Sequence, residues 1–201
     1  MTPDLSRAVS LARLTLLFSR VERVTRHEDG VRPETDSDHT VMLGLIACDF
    51  ADPDVVNVGL VAQFALVHDI VEAYAGDVQT LTISEKGRAD KQARELAASA
   101  RLRAEFGAES WLYRCLVKYD MQDTDEARYV RVLDKVLPKL THLLNGCVAA
   151  RLLVTPDGFV RAHLSQYEEL RSRYPQSFLN RAFALLAEAM IGAEQAWGAT
   201  E

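Results

Sequence analysis

Helical periodicity is the feature that most constrains the fold of this chain. In nearly every long segment of its 201 residues, apolar side chains recur every three or four positions, which aligns them on one face of an α-helix. A half-buried strand would show strict alternation instead, and no convincing segment of that kind is found. Internal repeats, low-complexity tracts and a linker are also absent from the sequence. We therefore predict one all-α domain over residues 1–201, a bundle of about seven or eight helices.

Turn and capping residues indicate where the first helices begin and end. We predict a first helix over about residues 4–23, followed by a loop, TRHEDGVRPETDSD, whose glycine and proline interrupt the helical pattern. Ser37 or Asp38 is the expected N-cap of the second helix, because short polar side chains can accept the first free N–H groups.

The remaining helices are predicted from the same signals. Asp54 is the expected N-cap of a helix that runs to about Ala75, where Gly76 provides a C-terminal stop. A charged amphipathic helix follows in SEKGRADKQARELAASARLRAEF, with a solvated polar face. ESWLYRCLVKY is a shorter helix, and Pro138 should kink or break the next one, TDEARYVRVLDKVLPKLTHLLNG. Two further helices occupy the C-terminal third.

The overall charge and the cysteines limit the classes of partner and the cellular location that we expect for this chain. A formal charge of -6 argues against nucleic acid as the main partner, although a local basic pocket can still bind a small anion. The N-terminus lacks the features of a signal peptide, and we identify no apolar stretch that is long and charge-free enough to span a membrane. Cys48, Cys115 and Cys147 lie among apolar residues without paired spacing, as is typical of reduced, buried thiols. We therefore expect a cytoplasmic protein without membrane partners.

The segment ALVHDIVEAYAGDV concentrates ionisable side chains directly after an apolar run. It contains His68, Asp69, Glu72 and Asp77 within about three helical turns. His68 and Glu72 are four residues apart and therefore share a helical face, with Asp69 beside them. Buried charges are rare unless something compensates the loss of water. A metal ion held by His68 and Asp69 would provide that compensation.

Two further ligands for such an ion are available elsewhere in the chain. His39 follows a polar loop at the start of a helix, and Asp134 lies within the apolar string VRVLDKVLPKL. Taken singly, His39 is also consistent with a hydrogen-bonded core histidine, and Asp134 with an ion pair to Arg131, Lys135 or Lys139. Together with His68 and Asp69 they form a set of two imidazoles and two carboxylates.

This mixed donor set favours one divalent transition metal, Mn²⁺, Co²⁺, Fe²⁺, Ni²⁺ or Zn²⁺, over Ca²⁺, and Mg²⁺ is also compatible. Four protein ligands around a six-coordinate ion leave positions open for water or a substrate oxygen. Open positions of this kind permit Lewis-acid catalysis.

His39, His68–Asp69 and Asp134 occur in the order H…HD…D. This ordered motif resembles the metal signature of the HD-domain phosphohydrolases. HDIVEAYAGD is similar to the HD-x-x-E-x-x-x-G-D pattern of the 5′-deoxynucleotidase branch, and RPETDSDH is similar to the segment before its first histidine. DKQARE resembles the K-x-x-R-E helix of that branch, and LDK its final metal aspartate followed by lysine. The similarity covers roughly residues 14–145 and implies a single HD-domain helical bundle, which the helices of 146–201 complete.

The resemblance also implies roles for individual side chains. It makes His39, His68, Asp69 and Asp134 metal ligands. It makes Glu72 and Asp77 the acid–base pair that positions the nucleophilic water and assists the leaving group. Arg26 resembles the arginine of the family that binds the phosphate, and Lys91 and Arg94 are further candidates for phosphate contact, although a solvated face also explains them.

Two departures from the family pattern concern substrate recognition rather than the metal. His27 stands where the nucleotidases often have a tryptophan directly after the arginine, and the chain after Asp77 lacks their proline-rich segment. The resemblance implies hydrolysis of (deoxy)nucleoside 5′-monophosphates. A deoxynucleoside triphosphate triphosphohydrolase of the same fold and a non-catalytic, metal-containing nucleotide sensor are the alternatives.

The expected partners are a small nucleotide substrate and a second copy of the chain. The family commonly forms dimers, and Leu185, Leu186, Met190 and Ile191 form an apolar stripe near the C-terminus. The alternative is that this stripe packs within the monomer.

Overall fold

A computed structural model describes residues 2–199 of the chain and confirms an all-α bundle. Within these residues nine helices have nine or more residues, and two are single turns of four. The number exceeds the predicted seven or eight because several predicted segments are divided. The helices are α1 (Pro3–Phe18), α2 (Asp36–Phe50), α3 (Val58–Val67), α4 (Glu72–Ala75), α5 (Glu85–Phe106), α6 (Trp111–Met121), α7 (Asp125–Asp134), α8 (Leu137–Asn145), α9 (Val148–Arg151), α10 (Pro156–Arg173) and α11 (Asn180–Gly198).

A short β-hairpin replaces part of the predicted first helix and loop. The first helix ends at Phe18, and strand β1 (Glu22–Arg26) then pairs antiparallel with β2 (Pro33–Thr35). The pairing is irregular between its two ends. In the connecting turn Gly30 has a φ of 70° and donates its N–H to the His27 carbonyl. The prediction that the chain has no strand was wrong here, because a strand of three residues is too short to show alternation.

The second helix begins one turn earlier than expected. Its N-cap is Thr35, whereas the sequence predicted Ser37 or Asp38. The Thr35 hydroxyl accepts the Asp38 N–H at 3.2 Å, and the Asp38 carboxylate accepts the Thr35 N–H at 2.9 Å. Asp38 therefore acts as the second half of a capping box, not as the cap itself.

The predicted long third helix is shorter at both ends. Asn57, not Asp54, is its N-cap, and its side chain accepts the N–H of Leu60 at 3.1 Å. The α-helix ends at Val67, and the chain continues in tighter turns in which the Glu72 N–H bonds to the Asp69 carbonyl. Helix α4 then adds one turn before Gly76 stops it with a φ of 72°, as predicted.

The segment Val58–Ala75 is apolar enough, by length and composition, to match a membrane-spanning helix, with a mean hydropathy of 1.3. This contradicts our expectation that the chain has no such stretch. The core helix of a soluble protein can have the same length and composition, and Val61, Phe64 and Ala65 of this segment are fully buried in the bundle.

The later helices follow the sequence signals closely. Ser84 caps α5 through its hydroxyl, and the break before Pro138 separates α7 from α8 as predicted. The bundle core includes Leu43, Leu133 and Leu186, all fully buried.

Most of the apolar stripe near the C-terminus packs inside the monomer. Leu186 and Met190 are buried in the core, and Leu185 packs against it, which leaves Ile191 exposed. The homodimer stays a prediction, without support from this stripe.

Candidate metal centre

Four side chains from distant parts of the sequence meet at one point in the bundle. His39 comes from α2, His68 and Asp69 from the turns after α3, and Asp134 from the last residue of α7. One donor atom from each lies within 4.8 Å of all the others. The structure thus brings together all four of the predicted ligands.

His68 is held in the tautomer that a metal ligand needs. Its Nδ1 lies 2.8 Å from the Ala65 carbonyl oxygen, which can only accept a hydrogen bond, so the proton belongs on Nδ1. Its Nε2 therefore carries a lone pair. That atom is buried and makes no hydrogen bond within the described part of the chain, although Asp69 Oδ2 lies 3.1 Å away.

His39 is held from both sides of its ring. Its Nε2 lies 3.0 Å from Asp134 Oδ1, and its Nδ1 lies 3.1 Å from Glu34 Oε1. The Thr25 hydroxyl donates to the other oxygen of Glu34. Burial lowers the pKa of His39, but the hydrogen bonds to Asp134 and Glu34 outweigh it and raise the pKa to about 9. Because a proton and a cation compete for Nε2, metal affinity should fall as the pH falls.

Asp134 is an ionised carboxylate in an apolar setting. Only 2% of the residue is exposed, and burial alone would raise its pKa. The Lys135 ammonium, 2.6 Å from Oδ2, and the His39 hydrogen bond act in the opposite direction and hold the pKa well below its usual value. A charged oxygen is thus maintained at the point where the four donors meet.

These donors fit a divalent cation. Two imidazole nitrogens and two carboxylate oxygens form the mixed set that transition metals accept. The buried Nε2 of His68 makes no hydrogen bond within the described residues, which is costly for a polar atom, and a cation would supply a partner.

Three of the four clustered residues, all except His39, line a cavity of about 770 Å³. Glu72 and Asp77, the predicted acid–base pair, both line this cavity. Glu72 Oε1 accepts a hydrogen bond from Lys91 Nζ at 2.8 Å, whereas its Oε2 is buried with no hydrogen-bond partner among residues 2–199. Burial, together with Asp69 and despite Lys91, raises the pKa of Glu72 to about 9. This carboxyl group can therefore hold a proton near neutral pH.

Arg23 lies at the cluster, and sequence reasoning missed it. Its Nη1 is 2.9 Å from Asp36 Oδ1, 3.2 Å from Asp69 Oδ2 and 3.8 Å from Glu72 Oε2. Burial raises the pKa of Asp36 to about 6, although Arg23 opposes the shift. No sequence signal separated Arg23 from Arg26, because the two differ only in the side of the short strand β1 on which they lie.

Of the three predicted phosphate contacts, the structure brings only Lys91 to the cavity. Arg26 lies on the hairpin and donates from Nη1 to the Val31 carbonyl at 3.0 Å, and Arg94 donates to the Ala75 carbonyl at 3.1 Å. Neither of these two residues lines the cavity. Arg23, three residues earlier on the same strand, lies at the cluster instead, and the phosphate contact of Arg26 stays a prediction.

Comparison with known proteins identifies a matching family and several similar proteins. The profile of the HD domain family matches residues 19–168. The chain is similar to the protein named 5′-deoxynucleotidase HDDC2 of Homo sapiens, with 30% identity over 135 residues that cover 64% of each protein. The Mus musculus protein of the same name is 29% identical over 132 residues, which cover 62% of this chain and 64% of that protein. The chain thus matches just under two thirds of the length of these relatives.

A solved structure is similar over nearly the whole chain. It is described as a predicted metal-dependent phosphohydrolase from Magnetospirillum magnetotacticum MS-1. The two share 27% sequence identity and a TM-score of 0.69, over 94% of each chain.

Proposed function

The chain belongs to the HD-domain family, and we propose that it is a metal-dependent phosphohydrolase that releases phosphate from (deoxy)nucleoside 5′-monophosphates. The observation that carries this proposal is the meeting of His39, His68, Asp69 and Asp134 within 4.8 Å. The last three of them line a cavity that Glu72 and Asp77 also line. The names of the similar proteins of Homo sapiens and Mus musculus support a nucleotide as the substrate.

The four ligands would hold one divalent cation. Bound there, such a cation supplies Lewis-acid polarisation of a phosphoryl oxygen and makes water a better nucleophile at neutral pH. The side chains around it bind and orient the substrate.

Arg23 and Lys91 supply positive charge at the phosphate position. The Arg23 guanidinium has several N–H donors in a fixed plane, which suits the oxygens of a phosphoryl group. It contacts three carboxylates, which hold it in place before the substrate arrives. Preorganised positive charge of this kind stabilises the negative charge that develops during phosphoryl transfer.

Glu72 and Asp77 carry the proton transfers. One carboxylate accepts a proton from the attacking water, and the other donates a proton to the leaving 5′-oxygen of the nucleoside. Oε2 of Glu72 makes no hydrogen bond within residues 2–199, because Lys91 engages only Oε1, and it is available for such a transfer.

The proposal is tested first by measuring phosphate release from nucleoside mono-, di- and triphosphates with Mn²⁺, Co²⁺ and Mg²⁺. Glu72→Gln keeps the shape of the side chain but removes its ability to exchange a proton. We expect normal folding, retained metal and a kcat lower by about two orders of magnitude or more.

Glu105→Gln is the matched control, because Glu105 is exposed and hydrogen bonds only to Tyr74 among the described residues. Asp134→Asn should lose both the metal and the activity. A metal-loaded Glu72→Gln protein with wild-type kcat would refute the assigned role of Glu72. Absence of hydrolysis of all nucleotides by the metal-loaded wild type would refute the proposed function.

A further inference from the structure

The cavity continues beyond the metal cluster into a region that the reaction described above does not use. We call this region the inner arm and define it by Lys139 and His142 of α8 and by His163 and Gln166 of α10, all of which line the cavity. Asp134 ends α7 and Lys139 lies in the first turns of α8. The inner arm therefore adjoins the metal cluster across the break between these two helices.

Lys139 brings a buried cation into the inner arm without a carboxylate partner. Only 3% of the residue is exposed, and its Nζ donates to the neutral amide oxygen of Gln166. It forms no ion pair within the described chain, because Asp134 is engaged by Lys135 and His39. Burial and Lys135 lower the pKa of Lys139 to about 7, so near neutral pH part of the population carries the charge. A buried ammonium without a counter-charge is expensive.

Two imidazole rings add hydrogen-bonding atoms that also lack partners. His142 and His163 are 6% and 3% exposed, and the Nδ1 atom of each is buried without a hydrogen bond in residues 2–199. Their ring centroids lie 6.2 Å apart, and Phe159 packs on His163 at 4.0 Å. Burial lowers the pKa of His142 to about 4 and that of His163 to about 2. Both rings are thus neutral, and each can present an N–H group.

The acidic groups near the inner arm do not neutralise it. Glu34 approaches His142 but is engaged by Thr25 and His39. Glu169 also lines the cavity but is exposed. An uncharged ligand such as a nucleobase would leave the ammonium without a counter-charge, whereas an anion would satisfy all three nitrogen groups.

We propose that the inner arm is a binding site for a second phosphate group, held by Lys139, His142 and His163. The proposal rests on the proposed function, because the first phosphate lies at the metal cluster. The second phosphate has two sources of the same chemistry. It is either a further phosphate of the nucleotide, which would make nucleoside di- or triphosphates good substrates, or free inorganic phosphate.

Calorimetric titration of the metal-loaded, full-length protein with inorganic phosphate tests the site directly. Lys139→Met and His163→Asn should each weaken one phosphate-binding event by about tenfold or more, since hydrogen bonds to charged groups are lost. Arg161→Met is the matched control, because it removes an exposed positive charge from the same helix as His163 and should leave binding unchanged. Unchanged phosphate binding in both Lys139→Met and His163→Asn would overturn the proposal.

Substrate kinetics distinguish the two sources. If the site holds a further phosphate of the nucleotide, Lys139→Met lowers the ratio of kcat/KM for deoxynucleoside triphosphates to that for monophosphates by about tenfold. If it holds free phosphate, this ratio stays constant while phosphate binding is lost.

Thermal unfolding separates a binding role of Lys139 from a structural one. A purely structural role predicts a lower Tm for Lys139→Met, whereas we expect an equal or higher Tm because a buried charge is removed. Because the titration does not require turnover, loss of phosphate binding in the variants would support the inner arm even if no nucleotide were hydrolysed.

Discussion

Glu34 shows how a residue that touches no substrate can determine the properties of the metal centre. Its Oε1 lies 3.1 Å from His39 Nδ1, and its other oxygen accepts the Thr25 hydroxyl proton. A carboxylate in this position keeps the proton on Nδ1 and leaves Nε2 free to bind a cation. Glu34 is only 2% exposed, so it cannot turn to solvent and abandon the contact. Orientation of the metal ligand therefore depends on a buried chain of three side chains.

We predict that Glu34→Gln weakens the binding of Mn²⁺ by about 10- to 100-fold, because the amide no longer holds the imidazole in the required tautomer as strongly. Competition with a chromophoric chelator measures the affinity. Glu28→Gln, in the exposed turn of the hairpin, is the control and should bind the metal like wild type. Wild-type affinity in a folded Glu34→Gln protein would show that His39 needs no such support.

At the level of residues, the sequence identified the ligands better than their neighbours. His39, His68, Asp69 and Asp134 could be predicted to lie together because their order resembles the HD-domain signature, and Asp134 because it also lies in an apolar string. Arg23 could not be chosen over Arg26, since both are arginines in a short polar segment and only the strand direction separates them. Arg23 then makes three carboxylate contacts, whereas Arg26 contacts a backbone carbonyl.

At the level of elements, two short irregular pieces determine the site. The hairpin β1–β2 brings Arg23 and Thr25 to the cluster, and Asn145 of α8 anchors it by donating to the Arg26 carbonyl at 2.7 Å. The turns after Val67 bring His68 and Asp69 to the same place. The sequence predicted a continuous helix over this second piece because its apolar spacing is helical throughout. The spacing of apolar residues does not distinguish an α-helix from tighter turns, because both have similar φ and ψ angles.

We predict that Arg23→Met lowers kcat/KM by about 10- to 100-fold, because it removes a charged donor from the phosphate position. Arg26→Met is the matched variant on the same strand, and its kcat/KM should stay within about threefold of wild type. Steady-state kinetics of both variants, after circular dichroism has confirmed folding, decide between the two arginines. A larger loss in Arg26→Met than in Arg23→Met would return the phosphate contact to Arg26.

At the level of the whole molecule, one cavity is lined by residues from the first, middle and last thirds of the described chain. Its walls include β1 near the N-terminus, the metal cluster in the middle, and α10 in the C-terminal third. Sequence motifs covered roughly residues 14–145 and gave no role to the C-terminal helices. His163 and Gln166 belong to those helices, and only folding places them beside Lys139. A contact that depends on the packing of α10 has no signature in local sequence.

The buried imidazoles of the inner arm should make the stability of the whole domain depend on pH. His163 has a pKa of about 2 in the folded protein, against 6.5 for an ordinary histidine. Because its folded pKa is depressed, its contribution to stability is fully present above pH 6.5 and is lost progressively as the pH falls toward the folded value. His142, with a folded pKa of about 4, acts in the same direction. Asp36, whose pKa is raised to about 6, acts in the opposite direction, since the folded state binds its proton more strongly.

We therefore predict how the pH dependence of the free energy of unfolding differs between wild type and His163→Asn. Between about pH 7.5 and pH 5, His163 alone should account for a loss of about 2 kcal/mol in the free energy of unfolding, because pH 5 lies about 1.5 units below its ordinary pKa. Urea unfolding of wild type and His163→Asn at both pH values measures this loss.

His163→Asn should be less stable at pH 7.5, because its packing on Phe159 is lost, but its stability should fall less on acidification. Arg161→Met, which removes an exposed charge from the same helix, is the control and should retain the wild-type pH dependence. Equal losses of stability in wild type and His163→Asn would show that the imidazole is not held neutral by the fold.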